Sequence, residues 1–359
     1  ARELETKLPQ ILINGVQEMK ELAEYVKVLE KCGVDAVIVS DVGVMTLVQN
    51  NSKLPIHVST QSSCLNVFSA KLWKKLGAKR IVLGREVSLE EARKIKKEVD
   101  IEIELFIHGS MCMSYSGNCT ISNYTAGRDS NRGGCIQSCR FSYSTFPTQL
   151  GNNFDKQKII PESVLSSKDL RGLELLPEFI EAGVDSIKIE GRMKSSLYVA
   201  YTTSFYSRAI KICNTNYRYE IKDELKDLSK MLENIPNRGY TSGSLEKVPD
   251  FDSLYNGGRN SINSRYEFAG TVMEVDGERS FTMLTQKSFD ENSILEILSF
   301  DGKIVEFKPN KMETISHKRI MKINPNRLIR LPFPLKDGIN DNLGSLKIQR
   351  LNVVRIKTN

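Results

Sequence analysis

Histidine and tryptophan are scarce in this chain, with three and one among 359 residues. No apolar run approaches the roughly 20 residues that a membrane span needs, and the first residues do not read as a secretory signal. No HExxH helix is present, and no Ser, His and Asp spacing reads as a hydrolytic triad. These absences point away from a membrane partner and toward a cytoplasmic protein in which disulfides are disfavoured. They also leave peptide hydrolysis without an evident nucleophile or activated water. Charge of one sign is in short supply too: 51 Lys and Arg against 44 Asp and Glu give +7. That balance suits a polyanionic partner but equally suits plain solubility. The hydrophobic share of 40% and charged share of 26% are those of a soluble globular protein with a sizeable core, and the length suggests two or three domains.

Cysteine is unevenly placed. Cys32, Cys64 and Cys213 lie far apart in apolar or helical stretches and read as buried thiols. Cys112, Cys119, Cys135 and Cys139 crowd one glycine-punctuated segment, with six, fifteen and three residues between them. Thiolates so close repel one another unless a cation neutralises them. Structural zinc usually takes two close pairs of ligands, whereas these gaps suit a bulky [4Fe–4S] cluster approached from several directions. The expected cofactor is therefore [4Fe–4S], with Zn as the alternative.

The runs Glu104-Leu-Phe-Ile-His-Gly-Ser-Met-Cys112, Ser116-Gly-Asn-Cys119-Thr-Ile-Ser122 and Asn131-Arg-Gly-Gly-Cys135-Ile-Gln-Ser-Cys139-Arg resemble the signature of the U-32 collagenase-like peptidase family. Ser59-Thr-Gln61, Gly127-Arg-Asp129, Ser167-Lys-Asp-Leu170, Lys188-Ile-Glu-Gly-Arg-Met-Lys194 and Asn237-Arg-Gly-Tyr-Thr-Ser-Gly243 extend the resemblance over essentially the whole chain. It implies one of two activities: protease action, or oxygen-independent hydroxylation of tRNA bases, rRNA bases or a quinone precursor by iron–sulfur members. It also implies that this chain is shortened at its N-terminus by two units.

Alternating strand-like and helical runs predict an α/β fold. The strands are Gln10 to Asn14, Asp35 to Ser40, Ile56 to Gln61, Arg80 to Gly84, Glu102 to His108 and Ser186 to Glu190, with helices between them. A TIM-like (β/α) barrel, incomplete at its N-terminus, is the natural closure, and the count falls two strands short of a closed ring. The expected domains are 1–210 with a Cys-rich loop at 109–145, a helical extension and linker at 211–263, and a small antiparallel β-barrel at 264–359. In the last, strands alternate with Asp-Gly turns at 276–277, 301–302 and 337–338.

Period-2 alternation places polar side chains on the inner face of the strands: His57, Ser59 and Gln61; Glu102, Glu104 and His108, with Phe106 the exception; Ser186, Lys188 and Glu190. The C-terminal strand ends carry Gln61, Glu86, His108, Glu190 and Arg192, on the rim from which the cysteine loop departs. His108, Glu104, Lys188 and Glu190 are the candidate catalytic groups. His57, Gln61, Arg128 and Arg192 are candidates for substrate binding, the arginines because a guanidinium recognises carboxylate or phosphate. A buried Glu104–Lys188 ion pair would instead be structural. Arg128, Asp129, Asn131, Arg132 and Arg140 could equally fix loop carbonyls. The C-terminal Lys308, Lys311, Lys318, Arg319, Lys322, Arg327 and Arg330 read as solvated charges before they read as an RNA surface.

Three functions follow. The first, implied by the resemblance, is iron–sulfur-dependent hydroxylation of an RNA base, of the tRNA wobble uridine type, with a small prephenate-like oxygen donor. The second is peptide-bond hydrolysis. The third is a non-catalytic or electron-transfer role beside a partner subunit.

Overall fold

The computed structural model describes residues 10–11, 16–144, 163–215, 218–255, 265–277, 280–333 and 347–358. The third expected Asp-Gly turn, at 337–338, lies outside them. The chain divides into two compact units, Ala1–Glu190 with Arg238–Ser261, and Gly191–Asn237 with Ile262–Asn359. The division differs from the expected boundaries at 210 and 263. The segment after residue 237 returns to the first unit, and the helices after residue 190 belong with the β-rich end.

In the first unit the expected alternation is present: β1 (Gln10–Ile11), α1 (Val16–Lys31), β2 (Val37–Val39), α2 (Val42–Asn51), β3 (Ile56–Val58), α3 (Val67–Lys75), β4 (Arg80–Val82), α4 (Leu89–Val99) and β5 (Glu102–Ser110). Helix starts are set by side chains: Asp41 accepts from the Val44 N–H, and Ser88 and Glu91 form a reciprocal capping box on α4. β1 to β5 pair in sequence order, all parallel, and their apolar residues Val37, Val39, Val58, Ile81, Ile103 and Leu105 are at most 1% exposed.

Beyond β5 the pattern departs from expectation. After α5 (Ile121–Ala126), Asp169–Arg171 forms β6 where the pattern of Leu170 to Ala182 suggests one helix, and α6 is only Leu176–Glu181 behind a 3-10 turn. β6 runs antiparallel to β5, while β7 (Ser186–Ile189) runs parallel to it. Gly172 N donates to Ile107 O and Glu190 N to His108 O, both at 2.8 Å. Consecutive strand carbonyls point to opposite edges, so β6 and β7 flank β5 on either side. Among the described residues no pairing joins β1 to the far edge, and the layer is an eight-stranded, mostly parallel sheet.

The second unit begins with α7 (Ser196–Thr215) and α8 (Arg218–Met231). As their spacing suggests, Tyr198, Tyr201, Phe205 and Tyr206 are core residues, each at most 2% exposed. The last strand of the first unit, β8 (Tyr240–Thr241), follows and pairs with β6.

The remaining strands are β9 (Tyr266–Asp276), β10 (Ser280–Thr285), β11 (Phe289–Asp290), β12 (Leu295–Leu298), β13 (Ile304–Phe307), β14 (Glu313–Thr314), β15 (Lys322–Ile323), β16 (Leu328–Pro332) and β17 (Val353–Lys357). Seven of them form an antiparallel sheet ordered β13-β12-β17-β9-β10-β16-β14 over an apolar core that includes Phe281, Met283, Ile297 and Ile329. Arg355 on β17 is 4% exposed, bonds Glu296 through Nε at 2.8 Å, and lies against the rings of Tyr201 and Tyr266. That buried pair ties α7 to the sheet.

Of the three isolated thiols only Cys64 is fully buried. Cys213 is half-buried, and Cys32, just past the last residue of α1, is exposed because the helix ends there on solvent.

Candidate active site at the cysteine loop

The polar inner face separates into two clusters. Toward the strand starts, register aligns His57 with Arg80, Arg80 with Glu102, and Glu104 with Ser186. Glu104 is 7% exposed. It accepts from Lys188 Nζ at 2.8 Å, Ser186 Oγ at 3.1 Å and Arg80 at 3.4 Å. Burial pushes its pKa up, but the Lys188 charge and hydrogen bond, with Ser186 and Arg80, outweigh that and hold it below the ordinary carboxylate range. Phe106, the apolar exception on this face, pairs with Lys188. Arg85 sits 4.1 Å and Lys188 5.6 Å from its ring centroid, so two cations cover an aromatic where a polar residue was expected.

His57, 7% exposed, is held neutral. Desolvation first, and then the Arg80 charge, lower its pKa to about 4. An unfolded histidine takes its proton near pH 6.5, so between there and about pH 4 the unfolded chain binds more protons. Stability is therefore expected to fall as pH drops through that window, by about 3 kcal/mol, and to level off below it. Denaturant titrations across the range should show a shallower slope in His57→Gln. Equal slopes would remove His57 as the cause.

The second cluster lies at the strand ends. His108 is 1% exposed, with its ring 5.5 Å from that of Tyr240. Gly109 has φ +109°, and a Cβ there would come 2.3 Å from Glu190 O, so only glycine lets β5 pass this close to the end of β7. Glu190 pairs with Arg85 at 3.8 Å. Gln61, in the 3-10 turn Thr60–Ser62, offers its backbone to the loop: Gly117 has φ +81°, and a Cβ there would stand 2.1 Å from Gln61 O. Next to it, Ser116 N donates to Glu86 at 2.7 Å, and Arg85 N donates to Ser116 Oγ at 3.1 Å. The loop is thus seated on the ends of β3 and β4.

Arg140 clasps the loop's other end, donating to Met111 O at 2.6 Å, Ser166 Oγ at 3.1 Å and Ser167 O. Fixing carbonyls is therefore its role, while Asp129 fixes a backbone N–H, accepting from Asn131 N at 2.9 Å.

The four cysteines are free thiols gathered by these ties. Cys112 and Cys139 are each raised, first by desolvation; the charge of Arg85 opposes this for Cys112 and that of Arg140 for Cys139, while Cys135 and Cys119 raise Cys112 further, and Cys112, Cys135 and Cys119 raise Cys139. Cys135 Sγ accepts the Gln137 N–H at 3.3 Å and has Ser122 Oγ at 4.0 Å. Among the described residues no three His, Cys, Asp or Glu side chains are drawn together tightly enough to hold one metal ion. Four thiols within electrostatic reach, with one N–H and one hydroxyl donor to Cys135 sulfur and two arginines beside them, suit a cluster that carries its own bulk. They suit one zinc less, since its four sulfurs would have to close to about 4 Å of one another.

Cys112 also lies on the wall of a 780 Å³ cavity, with Arg85, Glu86, Lys94, Met113, Tyr115, Ser167, Thr241 and Lys247. Its size is that of a small-molecule or nucleotide site. The structure brings together His108, Glu190 and the cysteine loop, and seats the loop on Gln61. It leaves Arg128 exposed and puts Arg192, also exposed, in the second unit. Glu104 and Lys188 are bound to each other. Arg85 was not among the sequence candidates, although its place right after a strand-ending glycine, beside Glu86, was the available signal. Among the described residues, no helix is long and apolar enough to cross a membrane.

Residues 10–253 match the family model for peptidase family U32. The chain is 35% identical over 335 residues to tRNA hydroxylation protein P1 of Bacillus subtilis (strain 168), covering 88% of this chain and 78% of that protein. It is 31% identical over 333 residues to tRNA hydroxylation protein P of Escherichia coli (strain K12), covering 80% and 72%. Over 193 residues it is 38% identical to the 23S rRNA 5-hydroxycytidine C2501 synthase of the same organism, covering 54% and 28%.

Proposed function

The chain belongs to peptidase family U32, and on that premise we propose that it is an iron–sulfur-dependent, oxygen-independent hydroxylase of an RNA base in the cytoplasm. The tRNA and rRNA hydroxylation named in its relatives supports an RNA substrate of the wobble uridine type. One observation carries the reading: Cys112, one of four mutually interacting thiols, forms part of the wall of a cavity large enough for a nucleotide. Cys112, Cys119, Cys135 and Cys139 would hold a [4Fe–4S] cluster. Bound there, it would supply electrons or a Lewis-acidic iron to a small prephenate-like oxygen donor.

The chain's own groups have separable tasks. Arg85, between Cys112 and Glu190, supplies positive charge for the donor's carboxylate and for the thiolates. His108 and Glu190, at the ends of β5 and β7, hold and pass protons. The Glu104–Lys188 pair positions β5 and β7 from beneath. The finer shape is read as a barrel that lacks part of its ring, supported by the parallel order of β1 to β5 and the return of β7 beside β5.

Nucleoside mass spectrometry of bulk tRNA and rRNA from a strain lacking the gene tests the function. One hydroxylated pyrimidine should disappear and return with the wild-type gene. Unchanged RNA, together with peptide cleavage by the purified protein, would overturn it in favour of hydrolysis.

A further inference from the structure

The cysteine loop has an outer surface that neither the proposed cluster nor the fold uses. Between residues 111 and 144 the charged side chains are Arg128, Asp129, Arg132 and Arg140. Arg140 is committed to loop carbonyls, and Asp129 is turned to the Asn131 N–H. Arg128 and Arg132 are exposed, and Asp129 is the loop's one acidic residue. The same segment exposes aromatic and soft apolar groups: Tyr124 is 89% exposed, Tyr115 69%, Met113 39% and Phe141 36%.

The backbone beneath them is held firmly. Arg128 N donates to Ser122 O at 3.1 Å after the left-handed Gly127, and Thr125 bonds both Ile121 O and Ser138 Oγ. Large exposed rings on a fixed backbone, in a loop where three arginines outnumber one aspartate, match the chemistry of unpaired nucleotides. Every base has a face that stacks on an aromatic ring, and every phosphate seeks a guanidinium. A paired duplex hides its base faces and cannot use the rings in this way.

We infer that the outer surface of the cysteine loop is a stacking platform for single-stranded or looped RNA, in which Tyr115 and Tyr124 take base faces and Arg128 takes phosphate. Tyr115 and Met113 also line the cavity beside Cys112, so a strand lying on the platform reaches the cavity with its target base. This inference rests on the RNA reading above and adds to it the surface that selects unpaired RNA.

Fluorescence anisotropy with the full chain, a labelled hairpin RNA carrying a single-stranded loop, and a fully paired RNA of the same length provides the test. The wild type should prefer the hairpin. Tyr115→Ala and Tyr124→Ala should each weaken hairpin binding about 10-fold, with iron content and melting temperature unchanged. Arg128→Ala should lower the slope of log affinity against log salt by about 0.7. If the wild type binds the hairpin and both tyrosine variants bind it equally well, the platform is wrong while the RNA reading stands. If the wild type binds neither RNA, both fail. If the same variants instead lose binding to phosphatidylglycerol vesicles while hairpin binding is unchanged, the surface is a lipid contact and the inference is overturned.

Discussion

Replacing Cys112, Cys119, Cys135 or Cys139 singly by alanine is expected to strip iron and brown colour from anaerobically purified protein and to lower RNA hydroxylation by roughly 100-fold or more. Each removes one sulfur ligand from a set of four, so the remaining three hold a cluster poorly. Cys64→Ala is the control. That thiol is fully buried, and burial pushes it up to about 11, which makes it a core residue rather than a ligand. Iron analysis and visible spectra of the five variants decide the matter. Full iron retention in Cys139→Ala would move the fourth ligand elsewhere, whereas retention in Cys112→Ala would sink the cluster altogether.

Glu104→Gln is expected to cost about 3–5 kcal/mol, the range for breaking a buried ion pair, because it strands Lys188 and weakens the hold on Arg80. At this size that lowers the melting temperature by about 10 °C. The double variant Glu104→Gln with Lys188→Met should recover part of the loss, since no charge is then left without its partner. Thermal melts and activity at low temperature separate the two roles open to Glu104. A variant that melts like the wild type yet has lost hydroxylation would make it a catalytic acid or base instead of a structural anion.

The second experiment bears on a pair, Glu104 and Lys188, that the alternation of the strands placed on one face. Period-2 patterning is a local property: a residue's side follows from its neighbours, so Glu104 and Lys188 could be assigned to one surface without knowing the sheet, whereas the irregularity between Phe106 and His108 breaks the alternation before His108. The helices between strands were equally legible, as was most of the antiparallel C-terminal sheet, because capping residues and alternating apolar positions act within a few residues. Asp169–Arg171 was not legible. Its three residues follow a long loop and precede a helical pattern, and what makes them a strand is pairing with β5 and β8 far along the chain.

What the amino-acid order determined alone was local chemistry: four cysteines in one segment, polar residues on one face of each strand, and glycines where the backbone must turn. What only the tertiary structure decided was company. Arg85 became a neighbour of Cys112, Phe106 and Glu190 because β4 ends beside β5 and the loop folds back over both. Arg140, a candidate for anions by its chemistry, was instead committed to three loop oxygens. Long-range pairing sets which charges meet, since a side chain's partner depends on elements tens of residues away, and no local pattern carries that information.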